Sequence, residues 1–303
     1  CNQACIGHRS SGAPISCIQN PVTGRELTLG KLSRANPPRR VLVAGGGPAG
    51  MKAAAIAATR GHHVTLYEQS TKLGGQARLA ERLPGRSEFG GLISNLEREM
   101  ANAGVHIVMD QQVDHALISE HTPDVVIVST GGAPFRPTVE GQEDGHVVDA
   151  WAVLNGEANV GSKVIIADWA SDWTGLGLAE MLARNGCGVR LVVNGRMAGE
   201  QLHAYLRDHW AGKLHTLGVQ VIPYAKLFGV GEDAVYFQHI ANGEAMVMEN
   251  VDTLVTVSGQ VGVRDLEKTL CDFAGEVHVI GDCQAARTAE EAILEGYEVG
   301  ATI

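Results

Sequence analysis

The hydrophobic pattern of the chain falls into two similar passages. In the first, RRVLVAGGGPAGMKAAAIAATRGHHVTLYEQ, the apolar run VLVA predicts a buried strand. A glycine-rich turn, an alanine-rich helix and a second strand follow it. Apolar residues at three- and four-residue spacing in SEFGGLISNLEREMANA predict an amphipathic helix over about residues 87–103, leading to the short strand VHIVM. The run PDVVIVSTGGAPFRP reads as another buried strand closed by a glycine pair. The pattern then restarts: SKVIIADWASDWTGLGLAEMLARNGCGVRLVVNG is again strand, turn, helix, strand. A helix is expected over about residues 201–217, then strands in VQVIPY, DAVYFQH and DTLVTVSG. The last segment, VHVIGDCQAARTAEEAILEGYEVG, predicts a strand running through a turn into a helix. The expected fold class is α/β, with two Rossmann-like βαβ domains, the second inserted in the first. Residues 1–38 carry no periodicity and contain Pro14, Pro21, Pro37 and Pro38, so an irregular segment and linker is expected there. The expected boundaries are 39–145 plus 258–303 for the first domain and 146–257 for the second.

Composition narrows the function. The chain has 303 residues, 45% hydrophobic and 19% charged, enough to build real cores. A net charge of −10 with no basic run argues against a nucleic-acid partner. No apolar run reaches the roughly 18 residues that a membrane span needs, and a secretory leader is not expected. Six cysteines beside 38 glycines do not resemble a disulfide scaffold, so a cytoplasmic setting is expected. The chain starts at Cys1 without an initiator methionine and ends inside a helical pattern. It is therefore expected to be a segment of a longer protein.

The first glycine turn carries chemistry. Gly45, Gly47 and Gly50, with Pro48 and Ala49 between, satisfy G-x-G-x-x-G in the required strand–turn–helix context. The first glycine permits the tight turn, the second lets a pyrophosphate approach, and the third lets helix pack on strand. The helix N-terminus then faces the phosphates with its partial positive charge. Glu68, followed by Gln69, ends the returning strand where a carboxylate accepts from ribose hydroxyls. It would also repel a 2′-phosphate, so the expected ligand has an unphosphorylated adenosine.

The second turn has lost its glycines. Aligned on the preceding strand, the three glycine positions fall on Asp168, Ala170 and Trp173. Asp168 and Asp172 are expected to face a pyrophosphate with carboxylates, and Trp173 to block backbone approach. Gly175 and Gly177 lie too far into the helix to substitute. The alternative is a loop that moves and binds a cofactor differently.

Cys1, Cys5 and Cys17 crowd the first residues, ahead of Asn20-Pro21. A tetrahedral metal site or iron–sulfur cluster takes four ligands, so three thiolates form an incomplete set. A zinc knuckle and free thiols are the other readings. Cys187, Cys271 and Cys283 read as packing residues. His62 and His63 read as a solvated pair, while His203, His209 and His215 point to different helix faces. No residues form a paired general acid and base, and no catalytic residue is assigned.

The order GGGPAG, Glu68, Gly74-Gly75-Gln76, Ser129-Thr130-Gly131-Gly132 and Gly281-Asp282 resembles that of the two-dinucleotide-domain flavoprotein reductases. The cysteine spacing resembles the 4Fe–4S segment of the iron–sulfur flavoenzymes related to trimethylamine dehydrogenase and bacterial 2,4-dienoyl-CoA reductase. The resemblance implies FAD in the first domain, or ADP in its place. It implies cofactor contacts from Gly75, Gln76, Thr130, Gly131, Gly281 and Asp282. Arg287 is placed to stabilise reduced flavin, and Thr288 lies beside it, with a plain helix cap as the other reading. It also implies cluster ligands at Cys1, Cys5 and Cys17 and a fourth cysteine upstream. An N-terminal TIM barrel carrying FMN and the substrate site would precede them. The glycine-free second turn resembles the amine dehydrogenase branch. The expected function is therefore oxidation or demethylation of a methylated amine or amino acid. Electrons would pass from FMN through the 4Fe–4S cluster to an external carrier such as an electron-transfer flavoprotein. A homo-oligomer is also expected. The alternatives are an NAD(P)H-driven enoate reductase with the reverse flow, and a binding or scaffold protein with vestigial sites.

Overall fold

The computed structural model describes residues 1–303. They divide into one unit of Cys1–Glu81, Arg86–Ala133 and Gln260–Ile303 and another of Arg82–Gly85 and Pro134–Gly259.

The first unit is built on a five-stranded parallel sheet. Its order is Glu276–Val279, Val125–Val128, Arg40–Ala44, His63–Tyr67 and His106–Val108. Successive side chains of a strand point to opposite faces, so VLVA and VVIV feed two cores at once. Val41, Val43, Val125 and Ile127 enter one core, while Leu42, Ala44, Val126 and Val128 enter the other. The first core is closed by the helices Pro48–Thr59, Glu88–Ala103 and Ala289–Thr302. Phe89, Leu92, Ile93, Leu96 and Met100 of the second of these are all buried, at the expected spacing. The last helix lies tight against the first because it presents glycine there. A Cβ on Gly296 would stand 2.3 Å from the carbonyl oxygen of Ala49.

The N-terminal segment is less irregular than expected. Ala4–Ser11 and Glu26–Leu29 are short helices, and Gly12, at φ 76°, ends the first of them. His62 is buried, not solvated. Its Nδ1 accepts from the Arg39 amide at 3.1 Å and its Nε2 donates to the Ile303 carbonyl at 3.0 Å. Burial pushes its pKa down, consistent with a neutral ring carrying one structural proton.

The second unit has its own five-stranded parallel sheet, in the order Val147–Asp149, Thr253–Val257, Lys163–Asp168, Gly188–Val193 and Gln220–Ile222. Beside it the chain forms an antiparallel sheet of Ala225–Val230, Ala234–His239 and Ala245–Glu249. Only the middle strand of that sheet is expected from the sequence pattern. The helix Ala204–Thr216 leaves His209 and His215 exposed. Of the other cysteines, only Cys283 packs in a core, its thiol donating to the carbonyls of Val128 and Ile280. Cys271 is exposed and Cys187 half-buried, against the expectation of packing roles. No helix is long and apolar enough to cross a membrane.

Candidate nucleotide-binding site

At the carboxyl end of the first sheet the chain turns through Gly45, at φ 110°, into the helix beginning at Pro48. The three fingerprint glycines do different work. A Cβ on Gly45 would stand 2.3 Å from the Ser129 carbonyl oxygen, and one on Gly50 would stand 2.1 Å from that of Gly45. Both are required by close packing. A Cβ on Gly47 would meet nothing within 4 Å, so that glycine keeps a cradle open. Gly47 is also the N-cap, and no side chain caps this helix. An uncapped N-terminus presents amide donors and the positive end of the helix dipole to an anion.

Glu68 is buried behind the turn. Its Oε2 accepts from the Gly46 amide at 2.7 Å, and its Oε1 accepts from the Ser70 amide and hydroxyl, each at 2.8 Å. The carboxylate thus braces the turn, and its oxygens keep lone pairs with which a ribose hydroxyl could bond. Glu68→Ala is expected to lower bound adenine nucleotide at least tenfold and cost about 1–3 kcal/mol by stranding the Gly46 donor. Glu68→Gln is expected to lose less on both measures. Nucleotide released per chain and thermal unfolding of the emptied protein check the two effects separately.

The other expected residues gather around this turn. Gly74 donates to the Gly46 carbonyl at 2.8 Å, and Gly75, at φ 48°, lies over the Gly47 Cα. The Ser129 hydroxyl donates to the carbonyls of Ala44 and Gly45, and that of Thr130 to Val263. Gly131 accepts from the Val263 amide at 2.9 Å. Gly281, at φ 70°, places its turn against Ala49. Asp282 accepts from the Arg287 amide at 3.1 Å and from the Gln76 side chain, and burial pushes its pKa up. Gln69 and Arg287 are exposed. Thr288 forms a capping box with Glu291 at the start of the last helix.

Two residues escaped the sequence reading. Glu295 accepts from the Gly281 amide at 2.7 Å and pairs with Arg287, tying both to the last helix. It lies within an ordinary amphipathic pattern, which gives no signal. Gln260 has a buried side-chain oxygen with no partner, beside Gly132. An open cradle at Gly47 and an orphaned acceptor at Gln260 are what a bound dinucleotide would fill and satisfy, so these residues fit FAD.

The second turn is closed from within. Trp169 and Ala170 donate their amides to the Val257 carbonyl, and Ser171 donates to Asp168 Oδ1 at 2.8 Å. Asp172 caps the helix Trp173–Arg184 by accepting from the Thr174 amide at 2.7 Å. The amides of Trp169, Ala170, Ser171 and Thr174 are therefore engaged by the protein itself. Asp168 does not face a ligand, contrary to expectation. It is fully buried, and a Cβ on Gly175 would stand 2.2 Å from its Oδ2. Gly175 makes room for a carboxyl that has folded inward.

The three N-terminal cysteines do not assemble. No group of three or more His, Cys, Asp or Glu side chains is placed to hold a metal. Cys5 is exposed on the helix Ala4–Ser11. Cys1 and Cys17 are half-buried, each sulfur accepting the amide of the residue two ahead at 3.4 Å.

A doubly wound unit with this glycine turn, acidic brace and uncapped helix defines a dinucleotide-binding class. The sequence profile of the pyridine nucleotide-disulphide oxidoreductase family matches residues 39–296, and the chain belongs to that family. It is 37% identical over 199 residues to N,N-dimethylglycine/sarcosine dehydrogenase of Chromohalobacter salexigens, covering 63% of this chain and 29% of that protein. It is 35% identical over 298 residues to a probable N-methylproline demethylase of Rhizobium meliloti, covering 97% and 44%. It is 30% identical over 302 residues to an NADH oxidase of Thermoanaerobacter brockii, covering 99% and 46%. Among solved structures, a 2-naphthoyl-CoA reductase superposes with a TM-score of 0.92 at 28% identity, covering 100% of this chain and 46% of that one. The chain spans about half the length, or less, of these relatives.

Proposed function

We propose that this chain is the electron-transfer portion of an iron–sulfur flavoenzyme that oxidises and demethylates a methylated amine or amino acid. FMN and the substrate would sit in a TIM barrel of the same protein, with an external carrier such as an electron-transfer flavoprotein as acceptor. The observation that carries the direction of flow is the second turn, whose Trp169, Ala170, Ser171 and Thr174 amides serve Val257, Asp168 and Asp172 rather than a pyrophosphate. Similarity to the dehydrogenase of sarcosine and dimethylglycine and to the methylproline demethylase supports the substrate class.

FAD rather than ADP is the ligand we assign to the first unit, because Gln76, Asp282 and the orphaned Gln260 oxygen provide polar contacts beyond the glycine turn. When bound, FAD supplies one- and two-electron redox chemistry. Gly47 and the helix at Pro48 receive the pyrophosphate, Glu68 orients the ribose, and Glu295 holds the Gly281 turn and Arg287 in place. The cysteine segment is proposed to contribute Cys1, Cys5 and Cys17 to a cluster completed by a ligand outside this chain. A cytoplasmic homo-oligomer remains part of the proposal.

The second reading is an NAD(P)H-driven reductase, favoured by the NADH oxidase match along nearly the whole chain. Anaerobic titration of the flavin-loaded whole protein separates the two. Sarcosine, dimethylglycine or N-methylproline is expected to bleach the flavin, and NADH and NADPH to leave it oxidised. Rapid bleaching by either nicotinamide would overturn the proposed direction.

A further inference from the structure

The antiparallel sheet of the second unit turns an apolar face outward. Val235, Phe237 and Met248 point into the core, so their neighbours Tyr236 and Val247, paired in register, point away from it. The bulge between Leu227 and Gly229 adds Phe228 to the same face. Phe228 is 68% exposed, Val247 56% and Tyr236 41%. Large apolar side chains grouped in this way mark an interaction site more often than scattered ones do.

A loop converts the face into a groove. Glu140 bridges to Gly229, and its carbonyl accepts the Val230 amide at 2.8 Å. Gly141, at φ 72°, then turns the chain, with the Asp144 amide donating back to its carbonyl. That turn holds Glu140, Glu143 and Asp144 along one wall. The cavity has a volume of about 600 Å³, and its lining contains these three carboxylates, two exposed aromatic rings and no Lys, Arg or His. None of the three acids takes part in an ion pair of the chain.

We propose that this groove binds an organic ammonium ion, its apolar substituents against Phe228 and Tyr236 and its charge toward Glu140, Glu143 and Asp144. Aromatic faces attract alkylated cations through their quadrupole, and alkylated ammonium groups are cheap to desolvate. Uncompensated carboxylates at the rim add attraction that salt screens. The volume suits a small molecule. The proposal rests on the lining alone and does not depend on the redox reading.

Choline and its uncharged isostere 3,3-dimethylbutanol are the probes, titrated into the nucleotide-loaded protein and followed by calorimetry. Choline is expected to saturate in the millimolar range at low salt, with the alcohol at least tenfold weaker. Phe228→Ala and Tyr236→Leu are each expected to weaken choline at least fivefold. Glu143→Gln with Asp144→Asn is expected to weaken it similarly and flatten its salt dependence. All lie on the surface of the second unit, so an unchanged thermal unfolding transition serves as the folding control. Equal binding of alcohol and cation, no saturation, or indifference to these substitutions would overturn the proposal. So would a lysine-rich peptide that saturates the groove where choline does not, because the partner would then be a protein segment.

Discussion

Gly50→Ala is expected to strip the chain of adenine nucleotide, with content per chain falling at least tenfold, and to destabilise the first unit by about 1–3 kcal/mol. The new methyl would stand 2.1 Å from the Gly45 carbonyl oxygen and 2.4 Å from the Ser129 hydroxyl. Neither neighbour can retreat cheaply: one is backbone in the turn, and the other is held by the carbonyls of Ala44 and Gly45. The helix must move off the strand, and its first turn no longer faces the phosphates. Gly47→Ala separates the two effects. Its Cβ meets nothing in the protein, so the emptied variant is expected to unfold at the native temperature. The methyl would still fill the open cradle, and nucleotide content should fall tenfold, a loss of about 1.4 kcal/mol in binding. Nucleotide assay after denaturation and thermal melts of the emptied proteins distinguish them. A Gly47→Ala variant that retains full nucleotide would place the ligand elsewhere.

Asp168→Asn is expected to stabilise the second unit at alkaline pH and change little in acid. Burial, with Asp172 nearby, pushes the Asp168 pKa from its usual value up to about 8. A carboxyl whose folded pKa is raised favours the folded state fully only below its unfolded pKa. That contribution is lost as pH climbs from about 4 to about 8. The native chain should therefore lose stability on the order of a few kcal/mol across that window. The asparagine variant, which carries no charge to desolvate, should not. Calorimetric scans at pH 5 and pH 9 check the prediction. Parallel curves for the two proteins would mean that Asp168 ionises freely.

Legibility in the sequence followed the range of the interactions involved. VLVA, VVIV and VIIA announce buried parallel strands because both faces of each must be apolar, and Glu88–Ala103 announces itself by period. The glycine turn reads equally well, since its geometry is set within six consecutive residues. The flanking strands Ala225–Val230 and Ala245–Glu249 do not read, because a bulge breaks the alternation of one and methionines blur the other. His62 reads as solvated in the sequence because the carbonyl it bonds lies at Ile303, at the other end of the chain. Glu295 reaches Gly281 and Arg287 only once the last helix has docked. Asp168 was visible as an acid in a glycine's place, but its direction was not. The space that draws it inward is supplied by Gly175, whose missing side chain gives no hydrophobic signal.

One nucleotide unit is open at Gly47, and the turn of the other is occupied by its own groups. Denaturing the purified protein and quantifying the released nucleotides by mass spectrometry distinguishes the two. One adenine nucleotide per chain, FAD, is expected from this half of the protein, with no NAD(H) or NADP(H) retained even after incubation with excess. A second adenine nucleotide per chain, or a tightly held nicotinamide, would mean that the second turn is open.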